Sequence, residues 1–388
     1  MSPIKLIAWA ALGICVNVGL ARFSYGIMLP ALRDDLGLDY ATGGGLNALH
    51  LLGYLVGTLG APTLARHIGM RSLARYGHVV LCVGALISAA TPIAASGPTV
   101  LGVGRFLMGL GGGGAVLAIL VMAFAGIKPS WRGPVSMLAW GSTGVAIATT
   151  GGVLPFLPNP DWAWRGVFLV CAALAAILAL GFPPHGRNSA PPAAGAGFNP
   201  WHALSPRWVF LNAHYFLFGI AYVAYATFAG TRMAALRTAP GLVAATWVAY
   251  GMAAIVGAAI TAWALGLPKW RERALMGAGL CGALGSLVAS GGTPGLALAG
   301  ASLVGLGLAA TPALVSAFAR DRSAADHYPR AFSIATACLG LGQLIGPALA
   351  GGLADRFGTV AVPLFAATMY GLGVLVAVAD RRVATVTP

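Results

Sequence analysis

The segment Ile4–Pro30, "IKLIAWAALGICVNVGLARFSYGIMLP", sets the character of the chain. It is an apolar run that is long enough, at about 1.5 Å per helical residue, to cross the hydrocarbon core of a bilayer. One arginine, Arg22, lies in its interior, and no acidic residue precedes Asp34. A charge at that depth costs on the order of 3 kcal/mol on insertion scales, so Arg22 requires a partner, a cavity or a route to the interface.

Apolar runs of this kind recur along the whole sequence. Of its 388 residues, 58% are hydrophobic and 8% are charged. Soluble domains carry about 25% charged residues, so this composition predicts a membrane protein. Twelve runs predict transmembrane helices, at about residues 4–30, 42–65, 72–95, 99–127, 132–157, 163–182, 208–230, 241–266, 274–291, 295–319, 331–354 and 359–379. We therefore predict an all-α membrane protein with twelve transmembrane helices.

The distribution of basic residues predicts the orientation of the chain. With the N-terminus inside, the inner loops and tails hold sixteen Lys and Arg residues and the outer loops hold five. By the positive-inside rule, both termini are cytoplasmic, and we predict a multi-pass protein of the bacterial inner (plasma) membrane. The net charge of +14 lies in loops and not on one basic face, so we expect no nucleic-acid partner.

The sequence shows no pattern typical of a disulfide framework, a dinucleotide site or a cleavable signal peptide. The five cysteines fall inside predicted spans without a C-x-x-C pair, which is typical of buried apolar packing. The G-x-G-x-x-G match at Gly109–Gly114 follows no strand, so it predicts no dinucleotide site. The N-terminal apolar run is longer than the core of a cleavable signal peptide. We expect no cofactor, no metal site and no enzymatic activity.

The sequence divides into two halves that echo each other. Residues 183–206 are rich in proline and predict a cytoplasmic linker between a bundle at 1–182 and a bundle at 207–388. "GLARFSYG" at Gly19–Gly26 aligns with "GIAYVAYA" at Gly219–Ala226. That alignment places Arg22 against Tyr222 and Tyr25 against Tyr225. We expect two pseudo-symmetric six-helix bundles.

Several motifs resemble those of the major facilitator superfamily. "RFLMGLGGGG" (Arg105–Gly114) resembles its fourth-helix motif, with Met108 where Gln is usual. "GQLIGPALAGG" (Gly342–Gly352) resembles its Gly-Pro helix motif, which is eroded in the fifth span. The resemblance extends over the chain and is closest to a poorly characterised bacterial branch, the uncharacterised MFS-type transporters. It implies the MFS fold, transport by alternating access, and a role for Arg105 in coupling or in binding substrate charge.

Polar and aromatic side chains inside the spans define the candidate substrate site. Arg22 lies about 12 Å below the outer end of its helix, counted from Pro30 at about 1.5 Å per residue. Asn47, His50 and Tyr54 form one helical stripe in the second span. The full set of candidate substrate-binding residues is Arg22, Tyr25, Asn47, His50, Tyr54, Arg105, Trp140, Tyr222, Tyr225, Tyr250 and Gln343. Arginine capping of carbonyls and hydrogen bonding between helices are the structural alternatives for these residues.

The acidic residues restrict the substrate. All nine fall in loops or at span ends, so no carboxylate is available deep in a predicted helix to pair with a cation. We therefore predict a secondary transporter of a small organic anion, a carboxylate, that acts as a monomer in the lipid bilayer. His50 and His214 are the candidates for proton coupling, and anion exchange is the alternative. Proton-driven efflux of neutral or amphipathic compounds is the second prediction for the function.

Overall fold

The computed structural model describes residues 3–125, 132–157, 160–181, 206–323 and 328–386. The predicted linker at 183–206 lies outside these ranges except for its last residue, Pro206. Within the described ranges the chain forms helices and short connections, and no strand. The prediction of an all-helical protein is confirmed for this part of the chain.

The helices follow one another as long rods. Their bounds are α1 Pro3–Ile14, a π-helix Cys15–Phe23, α2 Ser24–Leu36, α3 Tyr40–Ile68, α4 Met70–Ala89, α5 Gly97–Ala125, α6 Arg132–Val153 with a 3-10 turn Leu154–Phe156, α7 Pro160–Gly181, α8 Pro206–Ala235, α9 Pro240–Leu265, α10 Pro268–Ala289, α11 Pro294–Leu308, α12 Ala310–Asp321, α13 Tyr328–Phe357 and α14 Ala361–Val386. The π-helix joins α1 to α2, and α12 follows α11 directly, so the described residues form twelve rods.

Local sequence explains where several rods begin and end. Proline opens each of α8 to α11, where its missing N–H costs no helical hydrogen bond. Asp39 caps α3 by accepting a hydrogen bond of 2.7 Å from the backbone N–H of Thr42. Gly37 ends α2 in the left-handed region, with a φ of 62° that favours glycine.

Eleven of these rods are long and apolar enough to cross a membrane. The rod at the predicted ninth span, α10, is not among them. Its first two turns hold Lys269, Arg271, Glu272 and Arg273, which lower its apolar content. A multi-pass membrane protein is therefore confirmed, with eleven of the twelve predicted spans among the described residues.

Three helix pairs join α1–α7 to α8–α14: α2 with α8, α3 with α13, and α6 with α9. Small residues allow each close approach. A side chain at Gly26 would overlap the carbonyl of Ala226, and one at Gly44 would overlap the carbonyl of Pro347. Glycine at such positions permits the backbone proximity by which helices pack in a bilayer. Several residues of the candidate site lie on helices of these three pairs: Asn47, Tyr222, Tyr250 and Gln343.

Candidate functional site

The π-helix positions Arg22. A π-helical segment of nine residues is unusual, and such departures from α geometry are frequent at functional sites. Arg22 lies at the end of this segment and is 9% exposed. Its guanidinium carbon lies 5.3 Å from the ring centroid of Tyr222, 5.8 Å from that of Phe23 and 5.9 Å from that of Tyr54. Aromatic faces therefore surround a buried cation.

Tyr222 connects Arg22 to the second group of helices. The Nη2 of Arg22 donates a hydrogen bond to the Tyr222 hydroxyl oxygen. The Nε2 of Gln343, on α13, donates to the same oxygen at 2.6 Å. Phe218 stacks on Tyr222 with ring centroids 4.8 Å apart. The two donors occupy both lone pairs of the hydroxyl, so Tyr222 links the π-helix, α8 and α13.

A small cavity opens beside this contact, between the π-helix, α2, α3 and α8. It is lined by Arg22, Phe23, Gly26, Asn47, Tyr222, Val223, Ala226 and Thr227. Guanidinium carries several N–H donors in a fixed fork, and the Tyr222 hydroxyl accepts from one of them. The remaining fork is suited to bidentate contact with a carboxylate. Among the described residues, no carboxylate pairs with Arg22.

Arg105 lies behind the cavity wall. It is fully buried, with Nη1 donating to the Ala21 carbonyl at 2.6 Å and Nη2 donating to Asn47 Oδ1 at 2.6 Å. Its guanidinium carbon lies 4.4 Å from the centroid of the Tyr25 ring. Both arginines were predicted to bind substrate, and the structure places them in different surroundings. Arg22 lines the cavity, whereas Arg105 is covered by Asn47 and Tyr25.

The polar stripe of α3 lies between the Arg22 cavity and the buried Arg105. The Nδ2 of Asn47 donates to Thr227 Oγ1 at 2.7 Å, which extends the Arg105 network to α8. His50 Nδ1 lies 3.2 Å from the Arg105 carbonyl oxygen, a contact that places the ring proton on Nδ1. Its Nε2 is buried without a partner among the described residues. Tyr25 donates to the Gly43 carbonyl at 2.8 Å, so Tyr25 stabilises the start of α3.

Aromatic side chains of α8 and α9 pack together next to the cavity. The Tyr250 ring centroid lies 6.2 Å from that of Tyr225 and 6.0 Å from that of Trp247. The start of the Trp247 side chain lies against Gly151, and the far edge of its ring approaches Gly26, which lines the cavity. Tyr225 and Tyr250 therefore lie beside the Arg22 cavity and not in its wall.

Two expected site residues lie apart. Trp140 is 38% exposed, one helical turn before Gly144 on α6. His214 is buried and its Nδ1 lies 2.8 Å from the Gly373 carbonyl oxygen, so its ring is directed to α14. Conversely, the sequence pattern did not mark Phe23 or Thr227. Thr227 bonds a partner 180 residues away, and no local periodicity records such a pairing.

The chain is similar in sequence to known membrane transporters. Residues 14–379 match the family described as "Uncharacterised MFS-type transporter YbfB". A segment of 153 residues is 28% identical to a gentisate transporter of Corynebacterium glutamicum. That segment covers 38% of this chain and 32% of the relative, so the match spans about a third of the relative's length.

Solved structures of a nucleoside transporter share the overall fold. The structure of NupG matches with a TM-score of 0.73 over 98% of this chain and 99% of that one. The structure of a point mutant of the same transporter matches with a TM-score of 0.74 over 97% and 99%. Both are 13% identical in sequence, so this likeness shows the fold alone.

Proposed function

Because the chain belongs to the family of uncharacterised MFS-type transporters, we propose that it is a secondary transporter of a small organic anion, a carboxylate. Membership of this family confirms the predicted superfamily and shows a membrane transporter and not an enzyme. We also propose that the protein acts as a monomer in the bacterial inner membrane. Its mode of coupling is proposed below.

The observation that carries the proposal is the cavity face of Arg22. A guanidinium lines this cavity, its partner there is a neutral hydroxyl, and no carboxylate compensates its charge among the described residues. An incoming carboxylate would form charge-assisted hydrogen bonds that are stronger than the bond to Tyr222. The positive charge of Arg22 would repel a cationic substrate. The similarity to a gentisate transporter supports this direction, because gentisate is a carboxylate.

The neighbouring rings favour an aromatic carboxylate. Phe23 and Tyr222 line the cavity, and Phe218 stacks on Tyr222 from behind. The centroids of Phe23 and Tyr222 lie 6.3 Å apart at an angle of 35°. An aromatic ring on the substrate would gain about 0.5–1.5 kcal/mol from such partners beyond its burial. Benzoate and its derivatives combine the required charge with the required ring.

Binding at Arg22 would couple to movement of the helices. The bond from Arg22 to Tyr222 joins the π-helix to α8, and Gln343 extends this link to α13. A carboxylate that displaces the Tyr222 hydroxyl from Arg22 would remove one link between the bundle at 1–182 and the bundle at 207–388. Rocking of two such units about a central site is the mechanism of alternating access.

The proposed orientation places both termini in the cytoplasm. The half of the molecule in which Gly26 meets Ala226 is then the outer half, and the close contact there closes it toward the outer end. At this end Asp355 of α13 also accepts hydrogen bonds from the backbone N–H groups of Tyr40 and Ala41, at 2.9 and 2.8 Å. At the opposite end, α1 packs against α5 and α6, and α12 packs against α9, α10 and α13. We propose that substrate enters the described state from the inner side.

For proton coupling we propose His50 in preference to His214. His50 shares the α3 stripe with Asn47 and Tyr54 and contacts the Arg105 carbonyl, so a change in its charge would act on the cavity wall. His214 is directed to α14. Replacing His50 with Gln should abolish dependence of uptake on an imposed pH gradient, whereas replacing His214 with Gln should preserve it.

A ligand panel tests the substrate class directly. The purified full-length protein in detergent is heated with benzoate, gentisate, acetate, uridine or choline, and its unfolding midpoint is recorded. A ligand that binds only the folded state raises this midpoint. We expect benzoate and gentisate to raise it most, acetate less, and choline not at all. Stabilisation by uridine or choline without stabilisation by benzoate would contradict the proposal.

A further inference from the structure

The turn from α9 to α10 carries two tryptophans on the surface of the protein. Trp263 is 59% exposed and Trp270 is 45% exposed, and their ring centroids lie 6.0 Å apart. Exposed tryptophan at the end of a transmembrane helix is typical of the boundary between hydrocarbon and headgroups, because the ring is apolar and its N–H is polar. The pair therefore places this turn at the edge of the bilayer.

The basic start of α10 lies at the same level. Residues 274–289, which follow Arg273, carry no charge. They extend about 24 Å at about 1.5 Å per residue, which is less than a hydrocarbon core of about 30 Å. The charged first two turns of α10 therefore extend the helix into the headgroup region, where anionic lipids present their phosphates.

Arg271 holds this turn in a fixed shape. Its Nε and Nη2 donate to the Leu265 carbonyl at the end of α9, at 3.1 and 2.7 Å. Its Nη1 pairs with Asp321 of α12 at 2.6 Å. One side chain thus ties α9, α10 and α12 together, and the two tryptophans are positioned before any ligand binds. Such preorganisation lowers the cost of binding.

Two cations beside the tryptophans have no carboxylate partner. Lys269 and Arg273 are exposed, and none of the ion pairs among the described residues includes either of them. At 3.6 residues per turn, Lys269, Trp270 and Arg273 fall within about 100° around α10, on the side away from Arg271. The guanidinium carbon of Arg273 lies 5.1 Å from the centroid of Trp270. Glu272 borders this face, which leaves an excess of positive charge.

We infer that the face formed by Trp263, Lys269, Trp270 and Arg273 binds the headgroup phosphate of an anionic phospholipid. The two cations donate charge-assisted hydrogen bonds to the phosphate, and the indole rings pack against the glycerol and the upper part of the acyl chains. A zwitterionic headgroup brings its own positive charge to the same cations, so the face selects phosphatidylglycerol over phosphatidylcholine. In the proposed orientation, this face lies in the cytoplasmic leaflet, where anionic lipids attract basic segments next to helices.

Titration of the purified full-length protein with lipid tests the site. Dioleoylphosphatidylglycerol, dioleoylphosphatidylcholine or glycerol 3-phosphate is added in detergent, and the bound molecules are counted by native mass spectrometry. We expect the wild type to bind phosphatidylglycerol most tightly. The double variant Lys269→Gln/Arg273→Gln should lose affinity for it by roughly thirtyfold, because each basic residue near an anionic surface contributes about 1 kcal/mol. The charge-retaining variant Lys269→Arg/Arg273→Lys should keep most of the affinity.

The matched control is Arg66→Gln/Arg75→Gln. It removes the same charge around the turn from α3 to α4, at the same end of the molecule, and should change the affinity by less than about threefold. Unchanged binding of phosphatidylglycerol in Lys269→Gln/Arg273→Gln, or an equal loss in the control, would overturn the inference. Glycerol 3-phosphate that binds as tightly as phosphatidylglycerol would overturn it as well, since a soluble phosphate has no acyl chains to contact the tryptophans. Benzoate binding at Arg22 is measured separately, so the proposed function does not depend on these outcomes.

Discussion

The guanidinium of Arg22 donates a hydrogen bond to the hydroxyl of Tyr222, the residue 200 positions later in the chain. The same two residues occupy equivalent places in the aligned segments Gly19–Gly26 and Gly219–Ala226. One segment thus contributes a cation and the other a neutral acceptor, and the two meet between the π-helix and α8. A neutral acceptor is a partner that an anionic ligand can displace.

Removal of the Tyr222 hydroxyl should separate binding from transport. Tyr222→Phe keeps the ring beside Arg22 and deletes the acceptor shared by Arg22 and Gln343. A substrate carboxylate then competes with no protein group for the guanidinium. We expect benzoate to bind with equal or several-fold higher affinity, while the maximal uptake rate falls because the link to α8 and α13 is lost.

Equilibrium binding and initial uptake rates in proteoliposomes, measured on the same preparation, check this outcome. Tyr370→Phe is the matched control, since it removes another buried phenol that is outside the Arg22 contact. A loss of benzoate affinity in Tyr222→Phe of tenfold or more would show that the hydroxyl holds the substrate and does not compete with it.

Arg105 should act on stability more than on binding. Arg105→Met leaves the Ala21 carbonyl and Asn47 Oδ1 without their donor in the protein interior. Losses of this kind cost about 1–3 kcal/mol for each unsatisfied group. We expect a lower unfolding midpoint, with no recovery in Arg105→Lys, because a single ammonium does not reproduce the two-pronged contact.

The comparison that decides the role of Arg105 is the unfolding midpoint against benzoate affinity. An Arg105→Met protein that unfolds at the wild-type midpoint but no longer binds benzoate would contradict the placement of Arg105 behind the wall. It would indicate direct contact with the substrate instead.

The sequence predicted the helical rods well because length and apolar content alone determine whether a segment can cross a bilayer. The repeat aligned Arg22 with Tyr222 as equivalent positions, but an alignment does not predict the contact that the structure shows between them. Arg22 and Arg105 look alike in the sequence, each a single charge within an apolar run. Their different surroundings depend on the π-helix and on Asn47 from another helix, and neither leaves a local pattern. Trp140 shared helical spacing with buried residues but lies on an exposed face of α6.

Asp355 should control the separation of α3 and α13. Its carboxylate accepts two backbone hydrogen bonds at the start of α3, where the partial positive charge of the helix end favours an anion. Asp355→Ala should increase the fraction of molecules in which the Tyr40 end of α3 and the Asp355 end of α13 are apart. Distances between spin labels on the two helices measure this fraction.

Asp39→Ala is the matched control at the same helix end. It removes the local cap to Thr42, which costs about 1 kcal/mol, but it breaks no contact with α13. An equal change in the label distances for both variants would show that Asp355 stabilises α3 alone and does not tie the two helices together.

The cap at Asp39 also predicts a pH dependence. Hydrogen bonds from the side chain and the backbone of Thr42 lower the pKa of the Asp39 carboxyl below its ordinary value of 3.8. A lowered pKa means that the cap stabilises the folded protein above the ordinary pKa and that this contribution is lost as the pH falls through the lowered one. The difference in unfolding midpoint between wild type and Asp39→Ala should therefore persist at neutral pH and vanish in acid. A difference that grows in acid would contradict it.

The uptake of radiolabelled benzoate into proteoliposomes by wild type, Arg22→Ala and Arg33→Ala tests the central claim most directly. Arg33 pairs with Asp34 near the end of α2, so its replacement removes one positive charge without touching the cavity. Charge-assisted hydrogen bonds contribute about 1.5–3 kcal/mol, which predicts a loss of affinity of at least tenfold in Arg22→Ala. Arg33→Ala should transport at close to the wild-type rate. Saturable benzoate uptake that is unchanged in Arg22→Ala would contradict the claim that Arg22 binds the substrate anion.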